Sequence, residues 1–280
     1  PLALGKLNGH YVLASETCAF DLIQAEFIRE LEPGEIVIIN EDGIKSIHHP
    51  KAAEHKSLCI FEYIYFARPD STIDGKNVYE MRKAHGRRLA KESHVEADLV
   101  MPFPDSGNYA AIGYAEESGI PFEMGMIRNH YVGRSFIQPT QSMRDFAVRI
   151  KLNPVRELIK GKDIIIIEDS IIRGTTAKTR VRALRELGVN KVHMRISCPP
   201  HKFPCYYGID FSSKGELIAA RMPLQELQEH LGLDSLKYLS IEGMLEASGV
   251  ENPESNFCKA CFDGKYPVPF DPNFTKQCMG

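Results

Sequence analysis

The sequence predicts an α/β protein built on a doubly wound parallel sheet, preceded by a short piece that reads as the end of another domain. Two observations carry this. From Leu58 onward, strand-like and helix-like patterns alternate, the order that winds a parallel sheet with helices on its faces. Within that series stand four consecutive isoleucines, Ile164 to Ile167, between Asp163 and the acidic pair Glu168-Asp169. An unbroken apolar run suits a central strand buried on both faces, and its polar flank marks where the strand ends.

Taken in order, residues 11–14 read as a strand, 20–31 as a helix and 35–40 as a strand before the Glu41-Asp42-Gly43 turn. The polar stretch 48–56 then separates this piece from the α/β series. Strands are expected at 59–67, 97–101, 122–127, 163–167 and 191–197, with helices at 79–92, 107–118 and 175–187. Three parts result: 1–48 as the end of a preceding domain, 49–240 as the α/β domain, and 241–280 as a C-terminal helix with a Cys-x-x-Cys tail. Between the strand near Met126 and Asp163 lies a polar interval carrying Arg134, Arg144, Arg149, Lys151 and Arg156, read as a mobile cationic lid over an anionic substrate.

Composition narrows the classes. The chain has 280 residues, 43% of them hydrophobic, which is ample for a packed core, and a formal charge of -3 with both signs interspersed. No basic surface suited to nucleic acid is expected, and no apolar run is long enough for a membrane helix. With no secretory or lipidation signal in view, a cytoplasmic location is the default. The patterned segment starts at Pro1 without an initiator Met, so a fragment is expected. Seven cysteines without a secretory signal argue against a disulfide framework and leave metal ligation or core packing.

Chemistry concentrates in residues 163–176, where the apolar strand runs into Glu168-Asp169-Ser170 and then Arg173-Gly174-Thr175-Thr176. Ligands of open α/β sheets bind at the carboxyl edge. The two carboxylates can hold ribose hydroxyls and ligate Mg²⁺, while backbone N–H groups from Arg173 to Thr176 can wrap a phosphate at the start of a helix. Gly174 lets the backbone approach that anion. The spacing fits neither a Walker loop nor a dinucleotide glycine fingerprint. It resembles the signature of the type I phosphoribosyltransferases, which implies phosphoribosyl diphosphate as a substrate.

Asp105-Ser106-Gly107 forms a second candidate anion loop, opening a helix after the strand that ends near Met101. Taken alone, Asp-Ser-Gly is a common turn and N-cap; its position on the sheet relative to the first motif favours a binding loop for the diphosphate leaving group, with Ser106 near the metal. Cys258 and Cys261 form a Cys-x-x-Cys pair, with Cys59 and Cys205 far upstream. Zinc, an iron-sulfur cluster and unligated thiols all fit that spacing. Cys18 and Cys198 read as buried free cysteines.

Several segments in order, 15–21, 61–71, 104–107, 128–137 and 163–176, resemble the glutamine-dependent amidophosphoribosyltransferase family. The resemblance implies attack of ammonia on C1 of phosphoribosyl diphosphate with Mg²⁺, giving 5-phosphoribosylamine and diphosphate, the first committed step of purine biosynthesis. It implies substrate contacts from Asp105, Ser106, Gly107, Glu168, Asp169, Ser170, Arg173, Gly174, Thr175 and Thr176, and Mg²⁺ near Ser106, Glu168 and Asp169. Tyr131, Arg134 and Lys151 would act from the lid, which excludes water from the reacting centre. One branch of the family holds a 4Fe-4S cluster, and Cys59, Cys205, Cys258 and Cys261 fall in the corresponding contexts. Feedback inhibition by purine nucleotides and a homo-oligomer, a tetramer in the family, are implied as well. The family begins with an N-terminal-nucleophile glutaminase domain whose closing part residues 1–48 resemble; Cys18 lies inside a motif there and is not its nucleophile, so this chain is expected to use free ammonia. A base-salvage phosphoribosyltransferase and a non-catalytic sensor of phosphoribosyl diphosphate are the rival readings.

Overall fold

The computed structural model describes residues 1–50, 56–129, 152–210 and 213–269. The chain divides into two compact units, Pro1–Met81 with Gly249–Lys259, and Arg82–Ser248 with Ala260–Gly280.

In the first unit, the strand Ala3–Leu7 pairs antiparallel with both His10–Ala14 and Glu26–Glu30. The helix expected over 20–31 is therefore cut short. It covers only Cys18–Ile23, Gln24 ends it in the left-handed conformation at φ 57, and the chain turns back as a strand. Non-local pairing with Ala3–Leu7 overrides the local helical pattern. Glu35–Asn40 is a strand as expected, in a hairpin with Gly43–His48. Two segments far apart in sequence are tied by Glu16, whose Oε2 accepts from the Arg68 N–H and the Ser71 hydroxyl, each at 2.7 Å. The strand expected over 59–67 is also corrected. Only Leu58–Cys59 is extended, paired in parallel with Phe257–Cys258, and Glu62–Phe66 forms a single π-helical turn with Tyr63 and Ile64 buried. Short apolar runs serve strand and helix alike, and here burial of one side decided for the turn.

The second unit holds the predicted parallel sheet. Its order is Ser235–Tyr238, Lys191–Ile196, Asp163–Glu168, Leu99–Pro102, all parallel. Ile164 to Ile167 occupy the centre at 0% exposure, each contributing about 1.5–3 kcal/mol of apolar burial. The segment expected as a strand at 122–127 joins the sheet only through a Phe122 bridge to Val100, and Met126–Arg128 instead pairs antiparallel with Leu152–Pro154. The edge strand Ser235–Tyr238 has no counterpart among the strands expected from sequence, being four residues long and half polar.

Helix Asn108–Ser118 leads outward from Leu99–Pro102, whereas Thr175–Glu186 leads the opposite way, from Asp163–Glu168 to Lys191–Ile196. The winding direction thus reverses between these two neighbouring strands, which makes the carboxyl ends of Leu99–Pro102 and Asp163–Glu168 the switch point where open sheets bind ligands. Helix Asn108–Ser118 approaches helix Val78–Ser93 very closely: a Cβ on Gly86 would stand 1.9 Å from the Ala110 carbonyl oxygen, and one on Gly113 2.0 Å from that of Lys83.

Candidate functional site

Register places the two candidate loops side by side. Pro102 stands opposite Ile167 and Ile196 opposite Glu168, so both loops leave the same edge of adjacent strands. The Phe103 N–H donates to the Ile167 carbonyl at 2.9 Å, extending the ladder one residue into the first loop. Gly107 then packs flat on the strand end, where a Cβ would lie 2.3 Å from the Ile167 oxygen. No other residue fits that approach without displacing backbone. From there Asn108–Ser118 begins with no side-chain cap, the Asn108 N–H donating to the Asp105 carbonyl at 3.2 Å.

The second loop behaves similarly. Gly174 adopts φ +76 and stands just before helix Thr175–Glu186, whose N-terminus likewise has no side-chain cap. Its free N–H groups and the positive end of its dipole are suited to an anion. Thr175 and Thr176 are exposed there, as is Arg173, which is ion-paired with Glu216.

Between the loops sits the acidic pair. The side chain of Glu168 is 12% exposed and Asp169 is buried at 4%. Ser106 Oγ donates to Glu168 Oε1 at 3.3 Å, Arg180 Nη1 donates to Glu168 Oε2 at 3.1 Å, and the Ser170 hydroxyl donates to Asp169. Burial, with the neighbouring Asp169, pushes the Glu168 carboxyl well above its ordinary range, opposed by the Arg180 charge. Two carboxylates and a hydroxyl at one buried spot are hard oxygen donors of the kind Mg²⁺ takes.

The structure thus brings together Asp105, Ser106, Gly107, Glu168, Asp169, Ser170, Arg173, Gly174, Thr175 and Thr176. Tyr131, Arg134 and Lys151 lie outside the described residues. Of the polar interval's ends, Leu152–Pro154 is a strand and Arg156–Ile159 a short helix rather than lid. Sequence reasoning missed Arg180, and gave no role of their own to Phe103 or to Arg128, which is ion-paired with Asp105. Nothing in the local pattern marks Arg180 among the basic residues of its helix.

The cysteines fall in both units. Cys59 and Cys258 are opposite one another in register in the first. In the second, the N–H groups of Lys202 and Phe203 donate to the Cys261 carbonyl at 3.0 and 3.1 Å, and Cys205 and Cys261 both lie near Tyr266, whose hydroxyl is pushed up by burial and by these neighbours. Among the described residues, no group of three or more His, Cys, Asp or Glu is arranged to hold a metal ion. Among them, too, no helix is long and apolar enough to cross a membrane.

No family model matches the sequence. Its similarity to individual proteins is extensive. It is 54% identical over 271 residues to the amidophosphoribosyltransferase of Synechocystis sp., covering 96% of this chain and 54% of that protein. To the amidophosphoribosyltransferase of Bacillus subtilis it is 51% identical over 270 residues, covering 96% and 56%. The solved glutamine phosphoribosylpyrophosphate amidotransferase of B. subtilis, complexed with ADP and GMP, superposes with a TM-score of 0.90 at 49% identity, covering 98% of this chain and 60% of that one. The chain spans about half the length of the curated relatives it matches. With about half its residues identical over 96% of its length, and with the same fold, it is a homologue of the amidophosphoribosyltransferases over the part of them that it spans.

Proposed function

We propose that this chain binds Mg²⁺-loaded phosphoribosyl diphosphate at the sheet's switch point and transfers an amino group from ammonia to C1, releasing diphosphate and forming 5-phosphoribosylamine, the first step of purine biosynthesis. One observation carries the reading: two uncapped helix N-termini flank a buried acidic pair at the carboxyl ends of adjacent parallel strands. A substrate with phosphate at one end, diphosphate at the other and a ribose diol between matches that sequence of donors and acceptors.

Residues 105–107 form the loop that seats the diphosphate. Glu168 and Asp169 accept from the ribose hydroxyls, which fixes C1 for attack. Ser170, Arg173, Gly174, Thr175 and Thr176 hold the 5-phosphate. Ser106, Glu168 and Asp169 would hold Mg²⁺, which would supply positive charge to stabilise the departing diphosphate. Ammonia attacks as the neutral amine and loses a proton as the product forms, so the chain supplies position and exclusion of water more than base catalysis. Tyr131, Arg134 and Lys151 are assigned to the cover over the substrate.

The four cysteines Cys59, Cys205, Cys258 and Cys261 are assigned to a 4Fe-4S cluster; their soft thiolate donors and the resemblance support this. Residues 1–48 are assigned to the closing part of a glutaminase domain, the source of ammonia from glutamine. The large apolar side chains exposed there, Leu22, Phe27 and Ile36 among them, suit a segment that packs against more protein. Purine nucleotides are proposed as feedback ligands, on the ADP and GMP bound by the B. subtilis relative. A cytoplasmic homo-oligomer, a tetramer as the resemblance implies, completes the proposal.

The test is Mg²⁺-dependent diphosphate release from phosphoribosyl diphosphate by protein prepared without air, with ammonium chloride or glutamine as nitrogen source. Release with ammonium chloride is expected. Folded, cluster-loaded protein that binds phosphoribosyl diphosphate yet releases no diphosphate would favour the sensor reading.

A further inference from the structure

We propose that Arg180 is a positioning residue for the acidic pair, and that it sets how tightly the site takes Mg²⁺ and phosphoribosyl diphosphate rather than how fast it turns over. The proposal rests on the assignment of Glu168 to that substrate.

Arg180 lies in the second turn of helix Thr175–Glu186, away from the phosphate loop itself. Its Nη1 donates to Glu168 Oε2 at 3.1 Å, while Ser106 holds Oε1 at 3.3 Å. Both oxygens of the carboxylate therefore have a partner, and its plane is fixed. The guanidinium is fixed in turn: its Cζ stands 4.7 Å from the centre of the Phe103 ring, which is 0% exposed. Phe103 is bonded through its N–H to Ile167, the residue before Glu168. One side chain thereby closes a circuit through both ligand loops and the helix that follows the second.

The circuit has a physical purpose. Two adjacent buried carboxylates repel, and a buried charge without a counter-charge is costly. The flat guanidinium can stack on a ring and donate in its own plane at once, which an ammonium cannot do. The Arg180 Nε is buried and makes no hydrogen bond among the described residues. Partners that orient ligating carboxylates affect metal affinity roughly 10–100-fold.

The experiment compares wild type, Arg180→Met and Arg180→Lys in the intact protein. Calorimetry measures phosphoribosyl diphosphate binding with Mg²⁺ present, and steady-state kinetics give KM, kcat and the Mg²⁺ concentration for half-maximal rate. For R180M, KM and the Mg²⁺ midpoint should rise roughly 10–100-fold, with kcat falling less; R180K should show the same shift, smaller. Should R180M fail to fold, R180K decides alone. A folded variant with wild-type KM and Mg²⁺ midpoint overturns the proposal. Failure of the wild type itself to bind phosphoribosyl diphosphate instead sinks the substrate assignment, and this proposal with it.

Discussion

Substituting Gly107 by alanine isolates how closely the first loop must lie on the strand end. Gly107 has φ -77 and ψ -10, ordinary for any residue, so alanine carries no backbone strain there. The obstacle is space. The added methyl would sit 2.3 Å from the Ile167 carbonyl oxygen and 3.0 Å from that of Phe103, both main-chain atoms. Reaching even 3.0 Å from Ile167 requires the loop to lift by about 0.7 Å, against the Phe103-to-Ile167 and Gly107-to-Phe103 hydrogen bonds at 2.9 and 3.1 Å. Forced repacking of this kind costs about 1–3 kcal/mol. At about 2–4 °C per kcal/mol for a unit of this size, Tm should drop by about 2–12 °C. The lift also carries Ser106 away from Glu168. Misplacement approaching 1 Å can cost on the order of 100-fold, so kcat/KM for phosphoribosyl diphosphate should fall by roughly 10- to 100-fold. Thermal unfolding and diphosphate release with ammonium chloride read the two effects separately. A G107A protein with wild-type Tm and kcat/KM would refute the close-packed loop as a requirement of the site.

Glu168→Gln keeps the shape and removes the charge, so Mg²⁺-dependent turnover should drop at least about tenfold; Arg180 left beside Asp169 alone should also lower Tm, and a fully active E168Q would disprove the metal assignment. Gly86→Ala sets two effects of opposite sign against each other: helix propensity favours alanine by about 1 kcal/mol, whereas a methyl 1.9 Å from the Ala110 oxygen forbids it. The clash should win, and a raised Tm would show that the helices can separate freely. His85 is buried, and burial together with Arg82 holds its pKa down to about 4 from 6.5. The unfolded chain gains a proton there first as pH falls, so stability complete above pH 6.5 is lost progressively towards pH 4, by about 3 kcal/mol. Replacing His85 with glutamine should flatten the wild-type stability slope across that window in pH-dependent thermal unfolding, and an unchanged slope would refute the assignment.

How far the sequence alone reaches is visible in particular residues. Ile164 to Ile167 announce a central strand because a fully buried strand must be apolar on both sides, and Gly174 with two threonines announces the candidate anion loop because only certain residues fit its backbone. The helices expected at 107–118 and 175–187 follow from the same local rules, and the structure has them at Asn108–Ser118 and Thr175–Glu186. What fails is whatever depends on a partner distant in the chain. Residues 26–30 became a strand because Ala3–Leu7 offered a ladder, and residues 62–66 became a helical turn that buries Tyr63 and Ile64 and leaves Tyr65 and Phe66 exposed.

The same division holds at the site. The acidic pair, the loops and the likeness to amidophosphoribosyltransferases were legible in the chain, since each is a contiguous motif whose chemistry requires those residue types. That Ser106 meets Glu168, that Gly107 must have no side chain, and that Arg180 completes the pair were decided only by tertiary structure. The first two depend on strands 60 or more positions apart in sequence coming into register, and the third on a guanidinium reaching a ring and a buried carboxylate at once.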